Sequence, residues 1–256
     1  MGFLNWLFGR KGRRRFDARR ISRILGPWEP YAGPDAIRRT RLPQTVTLPE
    51  RLGKYGGTPG AHQLSYILFP FWLRLDPELC GYAVQRIKRG GLYKRVEIPR
   101  TGKAPRQLDV PHPFLRWVQR RILERLLEQM DVHPAAHGFV KGRSIFTGAE
   151  PHVGKRVVIH LDLRDFFTTI RFRRVVGLFR SYGFDKSRSF LLAGLCCFEG
   201  RLPQGAPSSP AISNLVCRRL DSRLSGLART CGADYTRYAD DLTLSGPEAL
   251  LSSLPL

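Results

Sequence analysis

Arg237-Tyr238-Ala239-Asp240-Asp241-Leu242-Thr243-Leu244 sets two adjacent carboxylates between two short runs of strand-forming residues. Touching acids repel, and burying either is costly without a counter-charge. The pair is therefore a solvated hairpin tip or one half of a cation site. The surrounding "ADYTRYADDLTLSG", residues 233–246, reads as a two-stranded hairpin. A lone Asp-Asp is most often a solvated turn, so the decision rests on what else the chain brings to it.

Working outward, "RVVIHLDLRDFF" is a β-branched strand that ends in acids, with Asp162 just after the run at 157–159. Two short helices follow ("RRVVGLFRSYG" and "SRSFLLAGLCC"), then "RLPQGAPSSPAISNLVCRRLDSRLSGLART", a loop running into a long helix. This order lets the Asp162 strand and the Asp240-Asp241 hairpin neighbour one another in one antiparallel sheet, backed by the helix after Pro210. Three carboxylates from distant parts of the sequence would then meet. Clustered hard oxygen donors suit Mg²⁺ rather than zinc. Two such ions roughly 3.5–4 Å apart can activate a 3′-hydroxyl and stabilise a leaving pyrophosphate.

Upstream, "LYKRVEIPRTGKAPRQLDVPH" reads as a hairpin with a basic loop "RTGKAPR". The helix "PFLRWVQRRILERLLEQM" and a Gly-rich segment "AAHGFVKGRSIFTGAEPHVG" come next. A helix is expected from Tyr82 to Arg89, ending at Gly90-Gly91, with further helices near 16–25 and in "HQLSYILFPFWLRLD".

The 256 residues carry 43 Lys and Arg against 21 Asp and Glu, a formal charge of +22. The excess is spread along the chain and points to a polyanionic partner. Five cysteines, with no C-x-x-C pair, exclude a disulfide framework or a zinc site as the organising element and fit a reducing cytoplasm, with Cys196-Cys197 as core filling. The opening "MGFLNWLFGRKGRRRF" has the reverse order of a signal peptide, and Trp6 occupies the position where myristoylation wants Ser or Thr. It reads as a short docking helix followed by a phosphate-binding tract. No run approaches the ~20 apolar residues of a membrane span, so no membrane partner is expected.

With these residues in view, "YADD" closely resembles the catalytic hairpin of reverse transcriptases, and "LDLRDFFTTI" their first catalytic block. "RLPQGAPSSPAISNLVC" resembles the block that contacts incoming nucleotide and template. "IPRTGKAPRQLDVPHPFLRWVQRRIL" and "AHGFVKGRSIFTGAEPHVGK" are similar to two fingers blocks. The blocks stand in family order over 96–246. Their wording fits the bacterial retron enzymes, and group II intron enzymes share part of it.

The resemblance implies an α+β fold with right-hand fingers and palm, the palm sheet antiparallel, ferredoxin/RRM-like and backed by helices. It implies a basic N-terminal region at 1–75, fingers at 76–160 and palm at 161–256, with a helical insertion near 172–200. The family continues into a thumb, whereas this sequence ends at "GPEALLSSLPL", so a truncated or split product, or a thumb from another chain, is expected. Asp162, Asp240 and Asp241 would hold two Mg²⁺ ions, with Mn²⁺ as a substitute. Phe167, five residues after Asp162, would gate against a ribose 2′-hydroxyl. Gln204 and Gly205 would line the nucleotide pocket. Arg106, with Lys103, would grip the triphosphate, and Tyr238 would pack under the primer end. Asp165 would act on nucleotide through its backbone rather than as a metal ligand.

Retron enzymes carry Asn-Ala-x-x-His before the first catalytic strand; here it reads Gly148-Ala149-Glu150-Pro151-His152. His152 either serves that element or orders a loop. The activity implied is RNA-directed DNA synthesis, primed on a structured noncoding RNA and tied to phage defence, with deoxynucleotides, the DNA product and an effector protein as further partners. A non-polymerising RNA-binding fragment and a group II intron-type enzyme remain as alternatives.

Overall fold

The computed structural model describes residues 77–250. The expected helices near 16–25 and 62–76 and the basic region 1–75 lie outside the described residues. Within them the fold is mixed α and β, with antiparallel sheets.

Helix α1, Pro77–Lys88, ends at Gly90, which takes a left-handed φ of 76° as a helix-terminating glycine does. A two-stranded ribbon follows, β1 Tyr93–Arg100 and β2 Lys103–Pro111. The expected basic loop is mostly strand: only Thr101 and Gly102 turn, and Arg106 sits in the ladder opposite Ile98. Pro99 and Pro105 argue against strand, yet both strands of a two-stranded ribbon are edges, where a missing N–H is harmless. Pro99 falls where the register shifts, between Ile98 and Arg100.

Helix α2, Pro113–Arg125, starts with Pro at its first position and a His112 ring that accepts from the Phe114 N–H at 3.2 Å. Shorter than expected, it tightens into a 3₁₀ turn at Leu127–Gln129, and Leu126 and Leu127 both enter the core. Helix α3, Ile145–Ala149, opens with a Ser144–Thr147 capping box and runs into the 3₁₀ turn Glu150–His152. Then come β3, Val157–Asp162, the single-turn α4, Phe166–Thr169, and two helices, α5, Phe172–Ser181, and α6, Lys186–Cys196. The Asp185 carboxylate caps α6, accepting from the N–H groups of Ser187 and Arg188. The long helix α7, Ser209–Thr230, leads to β4, Asp234–Tyr238, and β5, Asp241–Gly246.

The larger apolar cluster joins α1, α2, α5, α6 and the start of α7, and Cys196 and Cys197 are buried in it as expected. A smaller cluster, including Tyr235, Leu242, Leu244 and Ala228, lies between the sheet and α7. Leu242 and Leu244 each contribute about 1.5–3 kcal/mol there.

The three-stranded sheet has the order β3-β5-β4, antiparallel throughout. The Asp162 strand and the Asp-Asp hairpin are thus neighbours, as their sequence order predicts. β3 pairs with β5 along its whole length, from Val157 to Asp162. The outer edge of β4 is covered by 135–137: the Arg237 N–H donates to the Ala135 carbonyl at 2.7 Å, and the His137 N–H to the Arg237 carbonyl at 2.8 Å. Among the described residues no helix is long and apolar enough to cross a membrane.

Candidate active site

Side chains alternate between the faces of a sheet, and directly paired residues share a face. Leu242 and Leu244 of β5 and Tyr235 and Arg237 of β4 therefore point toward α7. Asp241 and Thr243 take the other face, with Asp162 and His160 of β3 and Tyr238 of β4. Asp162 pairs with Asp241, and Tyr238 pairs with Asp241, so the three stand on one rung across the sheet.

Asp240 is the second residue of the two-residue turn, Ala239-Asp240. Ala239 has a φ of 59°, a left-handed conformation that costs a residue with a Cβ about 1–2 kcal/mol. The Leu163 N–H donates to the Asp240 carbonyl at 3.0 Å, which ties the tip to the chain just beyond Asp162. Asp162 is exposed, and Asp240 and Asp241 are half-exposed. Among the described residues neither Asp162 nor Asp240 has an ion pair, and Asp241 faces only the His160 ring, Nε2 to Oδ1 at 3.3 Å.

The structure thus brings Asp162 and Asp241 together on one rung and sets Asp240 beside them at the turn. Convergence stops there: among the described residues no three His, Cys, Asp or Glu side chains are spaced to hold a metal ion. The donor chemistry still fits a hard cation. The groups are oxygen-only carboxylates, accessible, and among the described residues Asp162 and Asp240 have no basic partner.

Phe166 is core and Phe167 is half-buried, its ring 5.3 Å from that of Phe166 and 6.3 Å from that of Phe139. Arg106 and Gln204 do meet. With the Gln204 amide oriented to satisfy its neighbours, its oxygen accepts from the Arg106 guanidinium (Nε at 3.0 Å) and its nitrogen donates to the Gln107 carbonyl at 3.3 Å. Gly205 sits at φ 120°, and an added Cβ would lie 3.0 Å from the Asp109 carbonyl oxygen, so this loop packs closely against the ribbon. The Asp109 N–H donates to the Gln204 carbonyl at 2.8 Å, and Arg95 bridges Asp109 and Glu199 at 3.1 and 2.9 Å, so the ribbon is fastened to this loop. Lys103 opens β2 at the far end of the ribbon, opposite Arg100 and away from that junction in the ladder. Asp165 holds a left-handed φ of 53° at the start of α4.

His152 orders its loop. Thr236 Oγ1 donates to the Gly148 carbonyl at 3.0 Å, leaving its lone pairs for His152 Nε2 at 2.7 Å; Nδ1 then accepts from the Ser245 hydroxyl at 2.6 Å. Both ring nitrogens are used, across β4 and β5. Burial lowers the pKa of His152, as does Lys155, against an opposing pull from Asp234.

Sequence reasoning missed a buried group under the hairpin. Arg237 and Asp221 are both 0% exposed and paired through two 2.8 Å contacts, Nε to Oδ1 and Nη2 to Oδ2. Tyr235 donates to Asp221 as well, at 2.9 Å. Burial opposes the charge on Arg237, but its hydrogen bonds to the Asp221 carboxylate outweigh that and raise its pKa. Removing one partner of such a pair costs about 3–5 kcal/mol. Two signals were present: Arg237 falls in step with Tyr235 on the core face of an alternating strand, and Asn214 and Asp221 lie seven residues apart on one face of α7.

Residues 98–250 match the family profile of reverse transcriptase (RNA-dependent DNA polymerase). The chain is 45% identical over 174 residues to the retron Mx65 reverse transcriptase of Myxococcus xanthus, covering 61% of this chain and 41% of that protein. It is 45% identical over 196 residues to the Mx162 enzyme of the same organism, covering 66% and 40%. Against the retron Ec86 reverse transcriptase of Escherichia coli it is 38% identical over 164 residues, covering 64% and 48%. The matched region spans less than half the length of each of these relatives. The chain belongs to the reverse transcriptase (RNA-dependent DNA polymerase) family, and these relatives are retron reverse transcriptases.

Proposed function

We propose that this chain is the fingers and palm of a retron-type RNA-directed DNA polymerase, copying part of a structured noncoding RNA into DNA in the bacterial cytoplasm, in a system of phage defence. The observation that carries the reading is the rung Asp162–Asp241–Tyr238, with Asp240 at its turn, on the sheet face that α7 leaves open. Asp162, Asp240 and Asp241 would hold two Mg²⁺ ions, or Mn²⁺ in their place. Bound there, such ions would supply activation of the primer hydroxyl and charge neutralisation at the phosphates.

The chain's own groups do the rest. Tyr238, 37% exposed at the end of the rung, supports the primer end. Phe167, braced edge-on by Phe166, excludes a ribose 2′-hydroxyl by volume. Arg106, positioned by Gln204, presents donors to the triphosphate, and Gly205, packed against Asp109, lines the pocket beside Gln204. Lys103 would join Arg106 in that grip. The net charge of +22 draws the RNA in, a long-range attraction that salt weakens.

The test is primer extension by the 256-residue chain on an RNA template with deoxynucleotides and Mg²⁺, alongside Asp162→Asn, Asp240→Asn and Asp241→Asn. Each variant is expected to lose extension while binding RNA as tightly as the parent. Extension at the native rate by any of the three would overturn the site assignment. RNA binding without extension by the parent chain would favour the binding-fragment reading.

A further inference from the structure

Arg237 spends two nitrogens on Asp221. Its third, Nη1, donates to the Asn214 side-chain oxygen at 3.0 Å and to the Ala239 carbonyl at 2.9 Å. That carbonyl belongs to the peptide joining Ala239 to Asp240. Asn214 in turn donates to the Gly138 carbonyl at 2.8 Å, and Gly138 lies against the Ala239 N–H side of the same turn. A left-handed alanine is thus gripped from both sides. Nothing in local sequence preference favours its conformation, so surrounding structure must impose it. A buried ion pair is weak as a source of stability, since apolar residues of similar volume often serve as well. The turn contact is what apolar residues could not replace.

We propose that Arg237 is a positioning residue, aimed by Asp221 and Asn214, that locks the Ala239-Asp240 turn and so holds Asp240 and Asp241 in place for a divalent cation opposite Asp162. The inference rests on the metal-binding reading of that rung. Arg237 itself touches neither substrate nor ion; it acts through one backbone carbonyl. A lysine would keep the charge beside Asp221, but a single ammonium lacks the fork that spans Asp221, Asn214 and the turn.

The experiment compares the parent chain with Arg237→Lys and with the double variant Asp221→Leu/Arg237→Met. Three readouts are taken: thermal melting, Mn²⁺ affinity by electron paramagnetic resonance, and amide hydrogen exchange over 238–242. The double variant is expected to melt near the parent, to bind Mn²⁺ roughly 10–100-fold more weakly, in the range of other lost ligand-supporting contacts, and to exchange faster at the turn. Arg237→Lys should shift affinity and exchange the same way. A double variant that folds with native Mn²⁺ affinity and native protection at the turn overturns the proposal. Should that variant fail to fold, Arg237→Lys decides by the same two readouts. If the parent takes up no Mn²⁺, the metal reading falls separately, and exchange decides: faster exchange in the variants upholds the positioning role, unchanged exchange refutes it.

Discussion

Gly138→Ala gives the sharpest perturbation of the hairpin turn. A Cβ at Gly138 would sit 2.5 Å from the Ala239 nitrogen, with the Tyr238 carbonyl carbon at 3.1 Å and its Cα at 3.3 Å. Ordinary contact begins near 3.4 Å, so the nearest atom is about 0.9 Å too close. The atoms in the way are backbone and have no rotamer to change. Gly138 has no positive φ, so the whole effect is steric rather than backbone strain at the substituted residue. Forcing one carbon into such a space costs about 1–3 kcal/mol. At roughly 2–4 °C per kcal/mol for a chain of this size, melting falls by about 2–12 °C. The turn must move by a sizeable part of an ångström, and misplacing catalytic groups by about 1 Å costs on the order of 100-fold in rate. The matched control is Gly177→Ala in α5, where an added Cβ meets nothing within 4 Å and a helical alanine gains about 0.5–1 kcal/mol. Thermal melts, Mn²⁺ titration and primer extension on both variants check this. A Gly138→Ala protein that melts and binds Mn²⁺ like the parent would refute the close approach and the argument built on it.

Stability should fall on mild acidification. The folded pKa of His152 is lowered from its ordinary value near 6.5, so below that value the unfolded chain takes up a proton first and stability drains away toward the folded pKa. His112, His133 and His137 are lowered too, each chiefly by burial, so melts from pH 7.5 to 5.5 should show a declining midpoint that is shallower, not flat, in His152→Gln. An unchanged slope in that variant would deny His152 its share. For the cysteines, burial pushes Cys196 up to about 12, which leaves roughly one thiolate in 10⁴ at pH 8. Alkylation at that pH followed by peptide mapping should mark partly exposed Cys231 and spare Cys196 and Cys197 until the protein is denatured.

The order of elements was legible because each carries local punctuation. Ser, Pro and Asp at helix starts, Gly at stops, and period-two alternation around the Asp-Asp turn are all visible in a single window of sequence. The pairing of β3 with β5 was legible for a different reason: the acid-bearing strand and hairpin had few other places to go. What stayed hidden depends on distant partners. Asp221 on a helix reads as a surface acid until Arg237 is seen across from it. Gly138 reads as loop flexibility, though its function in the fold is an absent side chain at Ala239. That Pro105 lies inside a strand stayed hidden, because the cost of a strand proline depends on whether the strand has a neighbour on that side. What His152 touches could not be read from its neighbours, because its ring meets the hydroxyls of Thr236 and Ser245, far along the chain.

The carboxylates also explain why the sheet keeps its register. Three strands are too few to be stable without a covered face, and α7 covers the one bearing Leu242, Leu244 and Tyr235. A slip of one residue would turn every side chain over. Asp241 and Thr243 would then point into the apolar layer beneath α7, and Leu242 and Leu244 into water. Burying an unpaired carboxylate is so unfavourable that the slipped sheet has no competing minimum. Arg237 sharpens the choice, because only the native register brings it beneath the turn with Asp221 in reach. The acids on the open face are therefore also the residues that forbid its burial. On the proposed reading, a polyanion drawn in by the chain's positive charge would meet, at the sheet itself, a patch of negative charge that bound cations would neutralise.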